Sequence, residues 1–176
     1  MQQHLVQQLP ARPHGFTLVE LMVTVAVIGI LALIAVPSMT GMISNSRISG
    51  QTSELTSALQ LARSEAVRRN ARVTVCASTD GATCAGSTTW TGWLVHGIDK
   101  TSCTDPNDAS TCDDDVIRSG GIGGTGQISS STNEIVFKPS GLIDSAQTLQ
   151  ISAQGATRCI SVKISGVVSA KKGGCS

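Results

Sequence analysis

Hydrophobic and polar residues follow three different patterns along the chain, and the first pattern is the most unusual. From Phe16 to Val36 the residues are predominantly apolar, Glu20 is the single formal charge, and Thr17 and Thr24 are the other strongly polar side chains. An apolar stretch of about 20 residues is long enough to cross a bilayer as a helix. The pattern therefore predicts a membrane-spanning helix over this stretch.

The second pattern is a helical periodicity that follows Pro37 and continues to about residue 70. Small and aliphatic residues recur on one face, at Ile48, Leu55, Leu59, Ala62 and Ala66. This spacing predicts an amphipathic continuation of the helix, whose stripe packs on a globular head. Proline removes a backbone hydrogen bond inside a helix, so we expect a kink or a locally melted turn at Pro37.

The third pattern consists of short β-type runs separated by Gly, Ser, Thr and Asp. The runs lie within residues 72–77, 93–97, 134–138, 148–153 and 159–165. The polar stretches at 99–118 and 119–131 are expected to be surface loops. The predicted fold class is α+β, in which one long N-terminal helix packs on an antiparallel β-sheet head.

Glu20 is the informative residue of the apolar stretch. An ionised carboxylate in hydrocarbon costs on the order of 3 kcal/mol or more unless something neutralises it. If the chain were cut between Gly15 and Phe16, a new α-amino group would lie one helical turn before Glu20. That amine could pair with Glu20 or with its copy on a neighbouring subunit. The sequence thus predicts an assembly role for this carboxylate.

The GFTLVE sequence at residues 15–20 follows a short leader that carries Arg12. It resembles the class III signal of type IV pilins and type II secretion pseudopilins. The resemblance implies cleavage between Gly15 and Phe16 by a prepilin peptidase and N-methylation of Phe16. It also implies a filament core in which Glu20 meets the N-terminus of a neighbour, and Pro37 stands where many pilins carry a helix-breaking proline.

These features divide the chain into four parts. They are a leader at 1–15, a transmembrane and filament-core helix at 16–36, an amphipathic helix at 37–70 and a β-rich head at 71–176. The positive charge of Arg12 keeps the leader cytoplasmic. We expect a single-pass protein of the bacterial inner membrane with a periplasmic head, which later enters a pilus or a periplasmic pseudopilus.

Two segments of the head carry a second resemblance. The sequences WTGWLV at 90–95, with Asp99, and IVFKPSG at 135–141 resemble the head of the GspH/FimT family of minor pilins and pseudopilins. Membership implies a minor pilin that primes or caps a type IV pilus, with other pilins and the prepilin peptidase as partners. The alternative is an H-type pseudopilin of a type II secretion system.

Six cysteines follow the apolar stretch, so they are expected in an oxidising compartment. Six cysteines can pair in many ways, and sequence alone does not choose among them. Local pairing is expected, of Cys76 with Cys84, Cys103 with Cys112, and Cys159 with Cys175. A zinc site is not expected, because CxxC-like spacing and nearby histidines are missing. We expect no metal and no cofactor.

The residues of the chain do not predict a catalytic or calcium-binding site. After loss of the leader the chain keeps one histidine, His96, and it has no GxSxG motif, so no enzymatic activity is expected. The acidic residues between 99 and 118 do not have the spacing of a calcium-binding EF-hand loop.

Some FimT-type members take up DNA and carry a Gly-Arg-x-Arg motif in the terminal loop. Both arginines are missing from the corresponding tract here. The remaining candidates for phosphate contacts are Lys171 and Lys172, with Arg158 and Lys163. Two to four such contacts give weak, salt-sensitive binding, and the net charge of +1 adds no general attraction. DNA uptake is therefore the least favoured of the three functions.

Overall fold

A computed structural model describes residues 16–98, 114–123, 126–153 and 155–175, with the side chains of 34–40 left out. Its internal contacts divide the chain into two units, which meet between Thr40 and Gly41. The helix α1 (Leu18–Arg69) contributes to both units. Its bounds confirm the prediction of one helix from the start of the apolar stretch to about residue 70.

The first unit is the beginning of α1, and Thr17 caps it. The backbone N–H of Glu20 donates to Thr17 Oγ1 at 3.2 Å, and the N–H of Leu21 donates to the carbonyl oxygen of Thr17 at 3.2 Å. The first bond satisfies an amide that has no backbone partner inside the helix, and the second is the first i→i−4 hydrogen bond of the helix. The helix continues through Pro37 without a melted turn. The kink expected at this proline stays a prediction. In the part of the chain that the structure describes, no helix meets the combined length and hydropathy expected of a membrane span.

The remainder of α1 belongs to the second unit and carries the predicted stripe. The five stripe residues are each at most 1% exposed, at Ile48, Leu55, Leu59, Ala62 and Ala66. The helix ends where Asn70 takes a positive φ of 48°. The N–H of Ala71 then donates to the carbonyl oxygen of Ala66 at 3.2 Å, as in a Schellman-type helix end.

Within the described residues, nine strands follow the helix. Their bounds are β1 (Val73–Ala77), β2 (Thr89–Trp90), β3 (Gly92–Ile98), β4 (Asp114–Gly121), β5 (Gln127–Ser130), β6 (Glu134–Phe137), β7 (Gln147–Ala153), β8 (Ala156–Val162) and β9 (Val168–Lys172). They form a four-stranded sheet in the order β4-β3-β1-β6 and a five-stranded sheet in the order β2-β5-β7-β8-β9. Every pairing is antiparallel, so the α+β class with a helix on antiparallel strands is confirmed.

The strand prediction was wrong in four places. The predicted loops at 99–118 and 119–131 contain β4 and β5, the terminal loop contains β9, and β2 was missed. The side chains of β4 and β9 are mostly exposed. Such strands are held by backbone pairing and show no alternation of buried and exposed residues for a sequence pattern to detect.

One hydrophobic core joins the stripe of α1 to both sheets. It contains all three large aromatic side chains of the head, Trp90, Trp93 and Phe137, each at most 2% exposed. Their burial gives these three side chains a structural role. Val73, Val75 and Ala77 of β1 also face this core, so the residues between them, Thr74 and Cys76, lie on the other face of the four-stranded sheet.

Candidate functional sites

The assembly candidates lie at the start of α1. Phe16 stands directly before the capping Thr17, and Glu20 is an exposed side chain in the first turn. A carboxylate there is favoured by the positive end of the helix dipole. Gly15 lies outside the described residues, so the proposed cleavage bond has no structural description.

The apolar side chains of this first unit are exposed on every side of the helix. Phe16 is 84% exposed, Leu18 is 74% exposed and Leu33 is 79% exposed, and most of the large apolar residues between them are half or more exposed. A contiguous apolar surface of this kind marks a place where lipid or another protein binds.

Two of the expected cysteine pairings are present as disulfides, Cys76–Cys84 and Cys159–Cys175. The third expected pair, Cys103 and Cys112, lies outside the described residues. The Cys159–Cys175 bridge closes the hairpin of β8 and β9, and Cys159 itself is 2% exposed. The bridge ties the end of the chain to the five-stranded sheet.

The loop after β1 is organised by Asp80. Its Oδ1 accepts hydrogen bonds from the N–H groups of Thr83 at 2.8 Å and Ala82 at 2.9 Å, and from the Ser78 hydroxyl at 3.0 Å. Chiefly the N–H of Thr83, then that of Ala82, holds the pKa of this carboxyl well below its usual range. The loop therefore delivers Cys84 to Cys76 in a fixed conformation.

His96 lies beside the Cys76–Cys84 disulfide, and the sequence did not predict this contact. Its Nε2 is 3.3 Å from Cys84 Sγ, and its Nδ1 is 2.9 Å from Asp114 Oδ2. The expectation that no histidine is near the cysteines is thus corrected, because β1 and β3 pair Thr74 with His96 and bring the ring next to Cys76. The contact could have been predicted only from the register in which the two predicted strands pair.

Three of the four candidate DNA contacts line one surface cavity of about 240 Å³. These are Arg158, Lys171 and Lys172; helix residues Ser49, Thr52 and Ser53 complete the wall. Arg158 and Lys172 are directly opposed on β8 and β9, and Arg158 donates to Ser49 Oγ at 2.8 Å. Lys163 is not among the lining residues. These residues form a small cavity that is cationic on the strand side and carries hydroxyl groups on the helix side.

Cations near the end of α1 pair with a carboxylate of the helix, contact the head, or do both. Arg68 and Arg69 both donate to the Glu65 carboxylate, at 2.6 Å and 2.8 Å, and Arg69 also reaches Asp115 at 3.0 Å. The hydrogen bonds from Arg68 first, and from Arg69 second, lower the pKa of Glu65 from 4.5 to about 2. Arg63 donates from Nε to the carbonyl oxygen of Gly141 at 3.1 Å.

Two family profiles match this chain. The profile described as type II transport protein GspH matches residues 51–167, which is more than half of the chain. The chain belongs to the GspH family. The profile of the prokaryotic N-terminal methylation motif matches residues 11–36, which contain the GFTLVE sequence and the exposed apolar helix. The GspH-family protein therefore combines a pilin-type N-terminus with a GspH-type head, as the sequence predicted.

Solved structures support the fold. The type IV minor pilin FimU of Pseudomonas aeruginosa strain PAO1 is similar with 20% identity and a TM-score of 0.52, over 77% of this chain and 92% of that chain. The minor pseudopilin EpsH of the type 2 secretion system of Vibrio cholerae is similar with 12% identity and a TM-score of 0.50, over 72% of this chain and 97% of that one. The GspH-family protein is a minor pilin or pseudopilin of the type IV pilus or type II secretion class.

Proposed function

We propose that this GspH-family protein is a minor pilin that primes or caps a type IV pilus after a prepilin peptidase has removed residues 1–15. The observation that carries the proposal is the exposed apolar start of α1, from Phe16 at 84% to Leu33 at 79% exposure, which lies within the methylation motif matched at 11–36. Such a surface needs lipid before assembly and other subunits after it. We infer that residues 16–36 are stored in the inner membrane and then extracted into the filament.

Glu20 is the proposed registry residue. It lies in the first helical turn, four residues after the α-amino group that cleavage would create at Phe16. Pairing of this carboxylate with a neighbour's amine neutralises two charges that the apolar surroundings of a filament core disfavour. The pairing fixes the axial position of one subunit against the next. The motive force for assembly comes from a separate ATPase complex.

Glu20→Ala tests the registry role. We expect normal leader removal, because the peptidase acts before the carboxylate is needed, and at least a tenfold loss of filament incorporation, which equals about 1.4 kcal/mol. Immunoblots of membrane and sheared-filament fractions measure both steps. Glu54→Ala is the matched control, since Glu54 is an exposed carboxylate of the same helix. Normal incorporation of Glu20→Ala, or equal losses in the two variants, would exclude this role.

A deletion strain distinguishes the pilus from the alternative, an H-type pseudopilin of a type II secretion system. The disulfide that closes the β8–β9 hairpin fits either system, because the periplasm and the cell surface are both oxidising environments. We expect loss of surface pili and of twitching, with normal secretion of exoproteins. Exoproteins trapped in the periplasm of a piliated deletion strain would instead assign the protein to secretion.

DNA uptake is kept as a second candidate function because Arg158, Lys171 and Lys172 share one cavity. Gel shifts of the full chain in detergent with double-stranded DNA, across a salt series, test it. If the cavity binds phosphate groups, Lys172→Gln weakens the shift and Lys163→Gln, which alters a lysine outside the cavity, does not. Each lost contact lowers the salt slope by about 1. The absence of a shift at low salt would remove DNA uptake.

A further inference from the structure

The outer face of the four-stranded sheet gathers three side chains that ligate metals. Cys76 and His96 share this face because β1 pairs antiparallel with β3, with Thr74 opposite His96. Cys84 is added by the loop after β1. One ligand atom from each of Cys76, Cys84 and His96 lies within 4.8 Å of the other two. Two sulfurs and one imidazole nitrogen form a ligand set that suits zinc.

His96 is oriented as metal-ligating histidines are. Asp114 Oδ2 is 2.9 Å from Nδ1, so the proton of the neutral ring is placed on Nδ1, where it donates to the carboxylate. The lone pair of Nε2 is then directed toward Cys84 Sγ at 3.3 Å, and a disulfide sulfur carries no proton to donate. A carboxylate behind a histidine fixes its tautomer and raises its basicity toward a metal ion. The β-bulge between Val95 and His96 gives the register in which Asp114 reaches the ring.

Hydrogen bonds that do not involve the disulfide hold the loop that carries Cys84. Asp80 accepts from the N–H groups of Ala82 and Thr83, just before Cys84. Directly after it, the N–H of Ala85 donates to the carbonyl oxygen of Ala77 at 2.8 Å. These hydrogen bonds do not involve the disulfide, so we expect them to hold the Cys84 thiol near His96 when the bridge is opened.

We propose that Cys76, Cys84 and His96 bind one zinc-class divalent cation when a dithiol reductant has opened the Cys76–Cys84 disulfide, and that Asp114 positions His96 for this. The reductant passes two electrons and two protons to the bridge, so two thiols form while the reductant becomes a disulfide. The cation then displaces both thiol protons and is held by two thiolates and the neutral imidazole. Water takes the fourth position.

Cobalt serves as the probe because its visible and thiolate charge-transfer absorption reports tetrahedral sulfur ligation. The full chain in detergent micelles is titrated with Co²⁺ before and after reduction by a dithiol that is then removed anaerobically, and bound Co²⁺ is displaced with Zn²⁺. We expect one equivalent with tetrahedral absorption in the reduced protein and none in the oxidised protein. Cys84→Ser abolishes this absorption although five cysteines remain.

Two variants separate the site from nonspecific thiol chelation. His96→Gln should weaken Co²⁺ binding at least tenfold, and Asp114→Asn should weaken it roughly tenfold to a hundredfold through the orientation of His96. Asp115→Asn is the matched control, because Asp115 contacts Arg69 instead of His96, and it should bind within about twofold of the parent. Tryptophan fluorescence verifies the fold of each variant. Unchanged affinity of Cys84→Ser, or of both His96→Gln and Asp114→Asn, overturns the proposal.

Discussion

Gly166, in the turn between β8 and β9, offers a sharp test of how the hairpin packs on the rest of the head. Its φ is +74°, and a Cβ added there would overlap the carbonyl oxygen of Gly141 and lie 2.8 Å from Arg63 Nε. The Gly141 oxygen cannot turn away without cost, because it accepts the hydrogen bond from Arg63. The substitution Gly166→Ala therefore combines an unfavourable backbone conformation with a collision against backbone.

The expected loss in free energy of unfolding is the sum of two parts. A left-handed conformation costs an alanine roughly 1 kcal/mol relative to glycine. Forcing an additional methyl group into packed surroundings costs about 1 to 3 kcal/mol more. Gly166→Ala should therefore lose about 2 to 4 kcal/mol. Gly173→Ala is the matched control, since Gly173 has a φ of +94° with nothing within 4 Å of its added Cβ, and it should lose only about 1 kcal/mol.

Urea unfolding of the full chain in detergent measures both variants. Trp90 and Trp93 are buried in the head, and the chain contains no tyrosine, so fluorescence reports unfolding of the head specifically. Equal losses for Gly166→Ala and Gly173→Ala would refute the packing of this turn against Gly141, because the difference between the variants comes from the collision alone.

Two further changes test the disulfide and the ion pairs. The double substitution of Cys159 and Cys175 by serine, which opens a bridge with a sequence separation of 16, should lower the free energy of unfolding by about 3 kcal/mol in the chain-entropy model, and an unchanged urea midpoint would contradict it. Glu65→Gln should lose about 1 kcal/mol at neutral pH. The pKa of Glu65 is lowered in the folded state, so its contribution is complete above 4.5 and disappears as the pH falls toward about 2. The same loss at pH 2 and at pH 7 would contradict the pairing with Arg68 and Arg69.

The long helix could be predicted because its signals are local. The buried stripe from Ile48 to Ala66 repeats with helical spacing, and Asn70 is one of the few residues that readily take the positive φ of a helix end. Strands β1, β3, β6 and β7 were found at nearly their observed bounds, since buried and β-branched residues are concentrated in them. Each of these elements is specified by its own residues.

Features that depend on distant residues could not be predicted. The strands β4 and β9 are mostly exposed, so only their pairing with β3 and β8 makes them strands. The contact of His96 with Cys84 depends on the register of β1 and β3 together with a bulge. The register and the bulge have no signature in local periodicity or in cysteine spacing.

The outermost strands of both sheets are poor templates for another chain. In the four-stranded sheet, β4 begins with two aspartates and carries a bulge against β3, while β6 has four residues. In the five-stranded sheet, β2 has two residues and β9 ends with two lysines. Short, charged and bulged borders resist strand addition and amyloid-like stacking. Heads crowded together in the proposed filament therefore resist pairing through their strands, and the proposed polymerisation runs through the helices.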